Sequence, residues 1–461
     1  MIPTLRICAL LFAAHAVFSP ASAQQELQGG AFAQCEDAGS HASLMTTECA
    51  LIQAPLDHAG SQEETVELFV RKFPAQGVAQ GQLWLIAGGP GESGASFYPF
   101  IETLRAAVPG FDLVVPDHRG TGFSTRLCPD EEAPASEAGS ALAGEEWGTC
   151  FGSLNAQAER TRAFTITNAA RDLDVLMTRL GTGKRTYVYG VSYGTQLVLR
   201  LLALEARPQI DGVIFDSLVP LETDRQLDLS HRSAVTDLVG RAVLRDCDAR
   251  PECSQFFPAG AEQSLRRLLE RDDIAQLVDG NLKYQLAALL DFPETRAMLP
   301  NVIAGLQAND PAWLKHALHR LGMLGAVLAP YPQSASSIPL VSLISRSENT
   351  ARPELTAEII DSESKGYLFA SPLPSLLLAG GIPIYRRDAH FGAVPAAIPP
   401  SIVLQGTLDP KTPLQGAEAH VARLKTAGEI KLIPVDRAPH FILMTAPDAF
   451  MRRVREFIGA D

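Results

Sequence analysis

The sequence lacks three features that would direct its interpretation elsewhere. It has no excess of basic residues, because 39 Lys and Arg stand against 52 Asp and Glu and give a formal net charge of −13. Nucleic acids and anionic membrane surfaces would repel such a chain, so neither is predicted as a partner. Beyond residue 23, no apolar run approaches the roughly 18 residues that a membrane-spanning helix needs. No Cys-x-x-Cys pair or His-rich spacing indicates a metal site, and no cofactor is predicted.

The first 23 residues have the pattern of a secretory signal peptide. Arg6 precedes an apolar run at residues 7–18, and Ala-Ser-Ala at 21–23 supplies the small residues that a signal peptidase cleaves after. The apolar run is too short to cross a bilayer, and a buried N-terminal helix is the alternative. Residues 1–23 therefore predict an exported protein, either periplasmic or secreted.

Cysteine is scarce, and its number suits an oxidising compartment. Seven cysteines are present, and Cys8 lies within the predicted signal peptide, so an even six remain. Their spacing falls into three local couples, each of which closes a short loop. We therefore predict three disulfides: Cys35 with Cys49, Cys128 with Cys150, and Cys247 with Cys253.

Short apolar runs with strand character alternate with helical patterns along most of the chain. A strand, helix, strand order predicts a mostly parallel sheet flanked by helices, which is the α/β class. Residues 221–399 break this rhythm, because they are helical in pattern and interrupted by prolines. We predict that they form a helical cap domain inserted between a first core part, residues 24–220, and a second core part, residues 400–461.

A Gly-Val-Ser-Tyr-Gly motif at 190–194 is the main candidate for chemistry. It follows a predicted strand and opens an apolar helix at 195–204, which is the context of a nucleophile elbow. The two glycines remove Cβ atoms at the sharp turn and leave the Ser192 hydroxyl exposed at the helix N-terminus. Ser192 is the predicted nucleophile, and a structural turn is the alternative.

A serine nucleophile needs a base, and the base needs an acid that orients it. In this fold they follow in the order Ser, Asp, His. His440 lies in a loop directly after the last predicted strand, whereas His420 lies within a helix and is expected at the surface. Asp409 comes just after the preceding strand. His440 and Asp409 are therefore the predicted base and acid, with Asp216 as the reserve acid.

The tetrahedral intermediate of acyl transfer also needs hydrogen-bond donors for its oxyanion. The Ala-Gly-Gly-Pro-Gly segment at 87–91 follows a predicted strand, and its glycines let backbone N–H groups approach a developing charge. We assign the oxyanion hole to the backbone amides of Gly89 and Tyr193. A plain glycine turn is the alternative.

Five segments carry a family resemblance: AGGPGESG at 87–94, PDHRGTGFS at 116–124, NAARDLDVL at 168–176, YGVSYGTQL at 189–197 and LQGTLDPKTP at 404–413. Together they resemble the α/β-hydrolase family of proline iminopeptidases and secreted tripeptidyl aminopeptidases. The resemblance implies the α/β-hydrolase fold and a serine exopeptidase that acts on peptide N-termini. It also implies that Ser192, Asp409 and His440 form the catalytic triad.

Two substrate classes stay open, a short peptide and a small carboxylic ester. A departure from the family is Ala87, which stands where many members have His. A peptide's ammonium group needs a carboxylate, and Glu92, Glu222 and Asp224 are candidates for binding it, with a solvated surface position as the alternative for each. Without such a carboxylate, the same machinery would serve an ester.

A noncatalytic binding protein is a third interpretation, and the order Ser, Asp, His counts against it. The oligomeric state is not defined by the sequence.

Overall fold

A mixed sheet of nine strands runs through the computed structural model, which describes residues 31–459 apart from 61, 62, 138, 140, 206, 207, 328, 329 and 379. The strands are β1 (Ala33–Gln34), β2 (Glu48–Pro55), β3 (Thr65–Phe73), β4 (Gly81–Ile86), β5 (Phe111–Pro116), β6 (Arg185–Val191), β7 (Gly212–Asp216), β8 (Ser401–Gly406) and β9 (Ile430–Val435). Their spatial order is β1-β2-β3-β5-β4-β6-β7-β8-β9. The pairings from β1 to β5 are antiparallel, and those from β5 onward to β9 are parallel. The signal peptide predicted at residues 1–23 lies outside the described residues.

Helices connect and cover the strands. They are α1 (Ile101–Ala107), α2 (Glu146–Ala156), α3 (Ala158–Arg162), α4 (Ile166–Leu180), α5 (Tyr193–Leu202), α6 (Arg232–Asp248), α7 (Pro251–Ser254), α8 (Ala261–Leu269), α9 (Ile274–Leu277), α10 (Leu282–Ala288), α11 (Pro293–Ala297), α12 (Leu299–Gln307), α13 (Ala312–Ala326), α14 (Ile338–Ser347), α15 (Ala357–Ser364), α16 (Leu373–Leu378), α17 (Leu414–Leu424), α18 (Ile442–Thr445) and α19 (Pro447–Ile458). Short 3-10 turns lie at Ala42–Leu44, Gly94–Phe100, Leu229–His231 and Leu289–Asp291.

Both faces of the sheet are covered, which explains why its central strands are mostly apolar. Val188 of β6 belongs to the hydrophobic core on one face, which residues of α4, α5 and α17 share. The next residue, Tyr189, points to the other face and belongs to a second core that residues of α1, α18 and α19 share. Every residue of β4, β5, β7 and β8 is buried, as expected for strands with helices on both sides. The predicted α/β architecture with a mostly parallel sheet is therefore confirmed.

Helix α4 illustrates how local sequence fixes one of these covering helices. The Thr165 hydroxyl caps its N-terminus by accepting a hydrogen bond from the backbone N–H of Asn168 at 2.9 Å. Asp172, on the buried side of the helix, pairs with Arg119 at 2.6 Å, and both side chains are almost fully buried. Because Arg119 belongs to the loop after β5, this ion pair braces that loop against the helix.

Between β7 and β8, the described residues form helices and no strand. These helices bury a hydrophobic core of their own, which includes Leu265, Leu286, Val302 and Phe369. A separate core is what an inserted domain needs, while the boundaries at 221 and 399 stay a prediction. Within the part of the chain that the structure describes, no helix combines the length and the apolar character that crossing a bilayer requires.

The structure contains the three disulfides that the cysteine spacing predicts. Cys35 with Cys49 joins the residue after β1 to β2, and Cys128 with Cys150 joins the loop after β5 to α2. Cys247 with Cys253 links the end of α6 to α7 within the helical insertion. Each bond therefore restrains a connection outside the parallel part of the sheet.

Candidate active site

Ser192 occupies a strained turn between a strand and a helix. It lies between the end of β6 and the start of α5, with φ of 54° and ψ of −124°. A positive φ is unfavourable for a residue with a side chain, and such strain is concentrated at functional sites. The turn is held from both sides, because the Ser192 N–H donates to the Asp216 carbonyl at 3.0 Å and the Ser192 carbonyl accepts from the Thr195 N–H at 2.8 Å.

The second glycine of the motif allows α5 to approach the sheet closely. A Cβ atom added to Gly194 would lie 2.3 Å from the carbonyl oxygen of Ile86, at the end of β4. The same close approach brings the elbow to the loop after β4, where a Cβ on Gly88 would lie 3.2 Å from the Ser192 Cβ. The spacing of the motif thus places the serine beside the predicted oxyanion loop.

Asp409 and His440 are in direct contact. The Asp409 Oδ2 atom lies 2.8 Å from His440 Nδ1, and both residues are buried. The other carboxylate oxygen accepts backbone N–H groups from Lys411 at 2.8 Å and Thr412 at 2.9 Å. Burial acts to raise the pKa of Asp409, but the His440 charge and these hydrogen bonds outweigh it, so its pKa is lowered. An ionised Asp409 holds the Nδ1 proton of His440 and leaves Nε2 as the basic atom.

Thr412 also belongs to this arrangement, although the sequence reasoning did not single it out. Its hydroxyl donates to Asp409 Oδ2 at 2.8 Å and lies 3.3 Å from His440 Nδ1. The available signal was its position three residues after an aspartate, where side chains form local turns with the backbone. Thr412 therefore fixes the rotamer of the acid.

The reserve acid, Asp216, has other partners. Its carboxylate accepts the backbone N–H groups of Ile442 and Leu443 and the hydroxyl of Tyr189, all within 2.9 Å. Those two amides begin α18, directly after the histidine loop. Asp216 therefore anchors the segment that follows His440, and it does not orient the imidazole.

Ser192 and His440 line the same cavity, whose volume is about 630 Å³. The helical insertion forms much of its wall, including residues of α6, α10 and α16. Among the described residues, His440 is hydrogen-bonded to Asp409, but no hydrogen bond joins the Ser192 hydroxyl to His440. Contacts between a nucleophile and its base are often long before substrate binds, so the predicted roles of the two residues require their side chains to move closer.

The two predicted oxyanion donors lie beside the serine. The N–H of Tyr193 is at the first position of α5, where a helix offers no internal acceptor. Gly89 has φ of +108° and lines the cavity, and a Cβ there would lie 2.2 Å from the Gly91 nitrogen. Only glycine therefore fits at position 89. The placement of these two amides suits an oxyanion hole, and that role stays a prediction.

Among the three predicted ammonium ligands, Glu92 is the one that lines the cavity. Its side chain is exposed to the cavity, and desolvation by the surrounding protein raises its pKa, opposed by the charges of Lys411 and His440. Within the described residues its carboxylate has no hydrogen-bond or ion-pair partner. Lys411 differs, since its Nζ lies 3.1 Å from an Asp291 oxygen.

The other two candidates have partners that occupy them. Glu222 binds Arg200 at 2.7 Å and also accepts from Gln196 at 2.8 Å. Asp224 accepts the backbone N–H groups of Gln226 and Leu227 and so stabilises a turn. The structure therefore brings Glu92 to the cavity, engages Glu222 in an ion pair and uses Asp224 locally.

One arginine of the insertion reaches both loops that carry the predicted acid and base. The Arg296 guanidinium, on α11, donates to the carbonyl of Leu408 at 3.1 Å and to the carbonyl of Arg437 at 2.8 Å. The first carbonyl directly precedes Asp409, and the second lies three residues before His440. Burial lowers the pKa of Arg296 to about 10, with the charge of Asp409 acting in the opposite direction. The side chain therefore stays charged at neutral pH.

His420 corrects one expectation from the sequence. It lies on α17, as the helical pattern indicates, but the expectation of a surface position is wrong. Its side chain is buried, and Nδ1 lies 2.8 Å from the Val219 carbonyl. Burial lowers its pKa, with that backbone contact opposing the shift. A neutral, hydrogen-bonded imidazole is a structural element here.

Comparison with known proteins gives the same fold. Residues 83–245 match a family described as alpha/beta hydrolase fold. A tripeptidyl aminopeptidase of Streptomyces coelicolor is 34% identical in an alignment 173 residues long, which covers 32% of this chain and 31% of that protein. The serine protease Hip1 of Mycobacterium tuberculosis is 28% identical in an alignment 299 residues long, which covers 61% of this chain and 53% of that protein.

The chain thus spans about half or less of the length of these curated relatives. Among solved structures, a proline iminopeptidase-related protein of Thermus thermophilus aligns with a TM-score of 0.38 and 18% identity, over 89% of this chain and 98% of that one. The resemblance to tripeptidyl aminopeptidases that the motifs predict is confirmed, and so is the α/β-hydrolase fold.

Proposed function

The chain has the α/β-hydrolase fold, and on that basis we propose that it is an exported serine hydrolase acting as an aminopeptidase on short peptides. The observation that carries the proposal is the contact between Asp409 and His440 in the cavity that Ser192 also lines. Relatives named tripeptidyl aminopeptidase and serine protease support a peptide substrate. The three disulfides support an oxidising compartment.

In the proposed mechanism, the Ser192 Oγ attacks the scissile carbonyl while His440 Nε2 takes its proton. Asp409 keeps the imidazole in the required tautomer and stabilises the imidazolium that forms. The oxyanion accepts hydrogen bonds from the Gly89 and Tyr193 amides. His440 then protonates the leaving amine, which gives an acyl-enzyme on Ser192, and water activated by the same histidine hydrolyses it.

The free carboxylate of Glu92 supports removal of residues from a peptide's N-terminus. It lines the cavity beside the nucleophile, and the described residues leave it without a partner. An ammonium group placed against it would gain a charge-assisted hydrogen bond in a confined space. The surrounding insertion supports the same conclusion, because a walled cavity limits entry to chain ends and disfavours cleavage within folded proteins.

Ester hydrolysis is the second candidate, because the same triad and oxyanion donors serve an acyl ester. The two candidates differ in what the free amine contributes. With peptides, blocking the amine would remove the contact to Glu92 and reduce kcat/KM at least about tenfold, which is the effect of 1.4 kcal/mol. With esters, the amine would have no effect.

The test compares tripeptidyl and aminoacyl arylamides with free and acetylated amines, beside short acyl aryl esters. Wild type should favour the free amine, Glu92→Gln should lose that preference, and the exposed α1 variant Glu102→Gln should keep it. Ser192→Ala should abolish all hydrolysis above the residual rate. Equal rates on free and acetylated peptides, together with rapid ester turnover, would replace the aminopeptidase by the esterase.

A further inference from the structure

Arg232 stands beside the nucleophile at the start of the helical insertion. It is the first residue of α6 and lines the 630 Å³ cavity together with Ser192, Glu92 and His440. It also lines a smaller neighbouring pocket of about 80 Å³ that Ser192 shares. Its side chain is partly buried, and it contributes to the walls of both spaces. A cation therefore lies within the volume that a substrate would fill.

The Arg232 guanidinium makes no hydrogen bond and no ion pair within the described residues. Other arginines of the interior differ, since Arg200 binds two glutamates and Arg296 binds three carbonyl groups. A guanidinium has five N–H donors and stays charged, so an interior position without acceptors is unfavourable unless a ligand supplies them. The unpaired N–H donors of Arg232 therefore indicate a binding site for a group that carries hydrogen-bond acceptors.

The three carboxylates whose charges act on Arg232 already have other partners. Asp409 is bonded to His440, Asp291 to Lys411 and Asp228 to His231. Burial lowers the pKa of Arg232, and the charges of these three carboxylates oppose that shift. They keep the arginine protonated without occupying its donors, which stay available to a group that enters the cavity.

We infer that Arg232 binds a carboxylate of the substrate, so that the cavity selects short peptides carrying a negative charge. A planar guanidinium matches a carboxylate with two parallel hydrogen bonds. Glu92, in the same cavity, presents the complementary carboxylate for an ammonium group. A zwitterionic short peptide suits both groups at once. This inference rests on the proposed peptidase activity and adds the charge of the substrate to it.

The carboxylate has two sources, the C-terminus of the peptide or an acidic side chain. One pair of substrates therefore compares a short peptide having a free C-terminus with its carboxamide. A second pair, with both C-termini amidated, compares a glutamate side chain with glutamine. A neutral aryl ester provides the reference rate. We expect at least about a tenfold preference in kcat/KM for the charged member of one pair, which identifies the source.

The variants compare Arg232→Gln with Arg245→Gln, an exposed arginine on the same helix α6. Arg232→Gln should lose the charge preference through KM, and Arg245→Gln should retain it. A second measurement needs only the wild type: inhibition of ester hydrolysis by both members of each substrate pair, in which the charged member of one pair should bind at least about tenfold more tightly than its neutral counterpart. That comparison stands even if Arg232→Gln fails to fold.

Two results would overturn the inference. Equal kcat/KM for charged and neutral members of both pairs in wild type would remove it, while peptide cleavage itself would leave the proposed function intact. An equal loss on every substrate in Arg232→Gln, with a shifted pH profile, would make Arg232 an electrostatic support of Asp409 and His440. Failure to cleave any peptide, with the ester still hydrolysed, would instead reject the proposed peptidase.

Discussion

Replacing Asp409 by asparagine tests the proposed acid directly. The change keeps the size of the side chain but replaces one of two acceptor oxygens by an NH₂ donor. One oxygen of Asp409 faces the N–H groups of Lys411 and Thr412, and the other faces His440 Nδ1. An asparagine amide would keep its oxygen on the two backbone donors and turn its NH₂ group toward the imidazole.

That orientation reverses the tautomer of His440. Nδ1 would accept a hydrogen bond from the amide, so the proton would move to Nε2, which could no longer take the proton of Ser192. Loss of the correct tautomer in a Ser-His-Asp triad lowers kcat by about 10⁴. At 1.36 kcal/mol per tenfold change, this corresponds to about 5 kcal/mol of transition-state stabilisation.

The assay measures kcat and KM of Asp409→Asn on an arylamide and an aryl ester, with thermal unfolding to verify the fold. Asp436→Asn is the matched control, because it changes an exposed aspartate in the histidine loop. We expect kcat to fall on both substrates while KM changes little. A folded Asp409→Asn enzyme within tenfold of wild type would refute the assignment. Asp216→Asn is a poor control, since the structure predicts that it destabilises the start of α18.

Three further predictions concern the elbow, the cavity charge and the disulfides. Gly194→Ala places a Cβ 2.3 Å from the Ile86 carbonyl oxygen and should lower both the melting temperature and kcat. Gly152→Ala in α2 is the control, because nothing lies within 4 Å of the new atom. That change should be neutral or stabilise the protein by up to about 1 kcal/mol. Because burial raises the pKa of Glu92, the folded state disfavours its charge, so its contribution to stability is lost as pH rises through that pKa. Glu92→Gln should therefore raise the melting temperature at pH 7. In wild type, the preference for substrates with a free amine should decline as pH falls toward the raised pKa of Glu92. A preference unchanged down to pH 4 would contradict the role of Glu92 in binding the amine. Replacing Cys247 and Cys253 by serine opens a loop with a sequence separation of 6 and should lower the free energy of unfolding by about 2 kcal/mol. Replacing Cys128 and Cys150, with a separation of 22, should lower it by about 3 kcal/mol. Urea unfolding measures both changes.

The parts of this molecule that sequence could predict depend on local chain order. Strands buried on both faces are mostly apolar, and the elbow motif lies between a strand and a helix. Asp409 and His440 could be singled out because each follows the end of a parallel strand, and such ends meet at one edge of the sheet.

Other features depend on contacts between distant segments, and the sequence does not show those. Arg232 lines the cavity only because the insertion folds back over the sheet, and no motif surrounds it. Glu222 looks like a free carboxylate in the sequence, but Arg200 lies 22 residues away on α5 and binds it. For His420 the period of the helix was clear, yet its burial depends on the carbonyl of Val219, 201 residues earlier.

The contacts of Arg296 bear on how an enzyme of this architecture can change its specificity. Exchanging a whole insertion for a foreign one is a direct way to build a new pocket over an old triad. Here the exchange would also remove the side chain that joins the carbonyls of Leu408 and Arg437. A chimera would retain every residue of the proposed triad and still lose the common support of the loops that carry the proposed acid and base. New specificity is therefore better sought by point changes on the cavity wall, with Arg296 and α11 left in place.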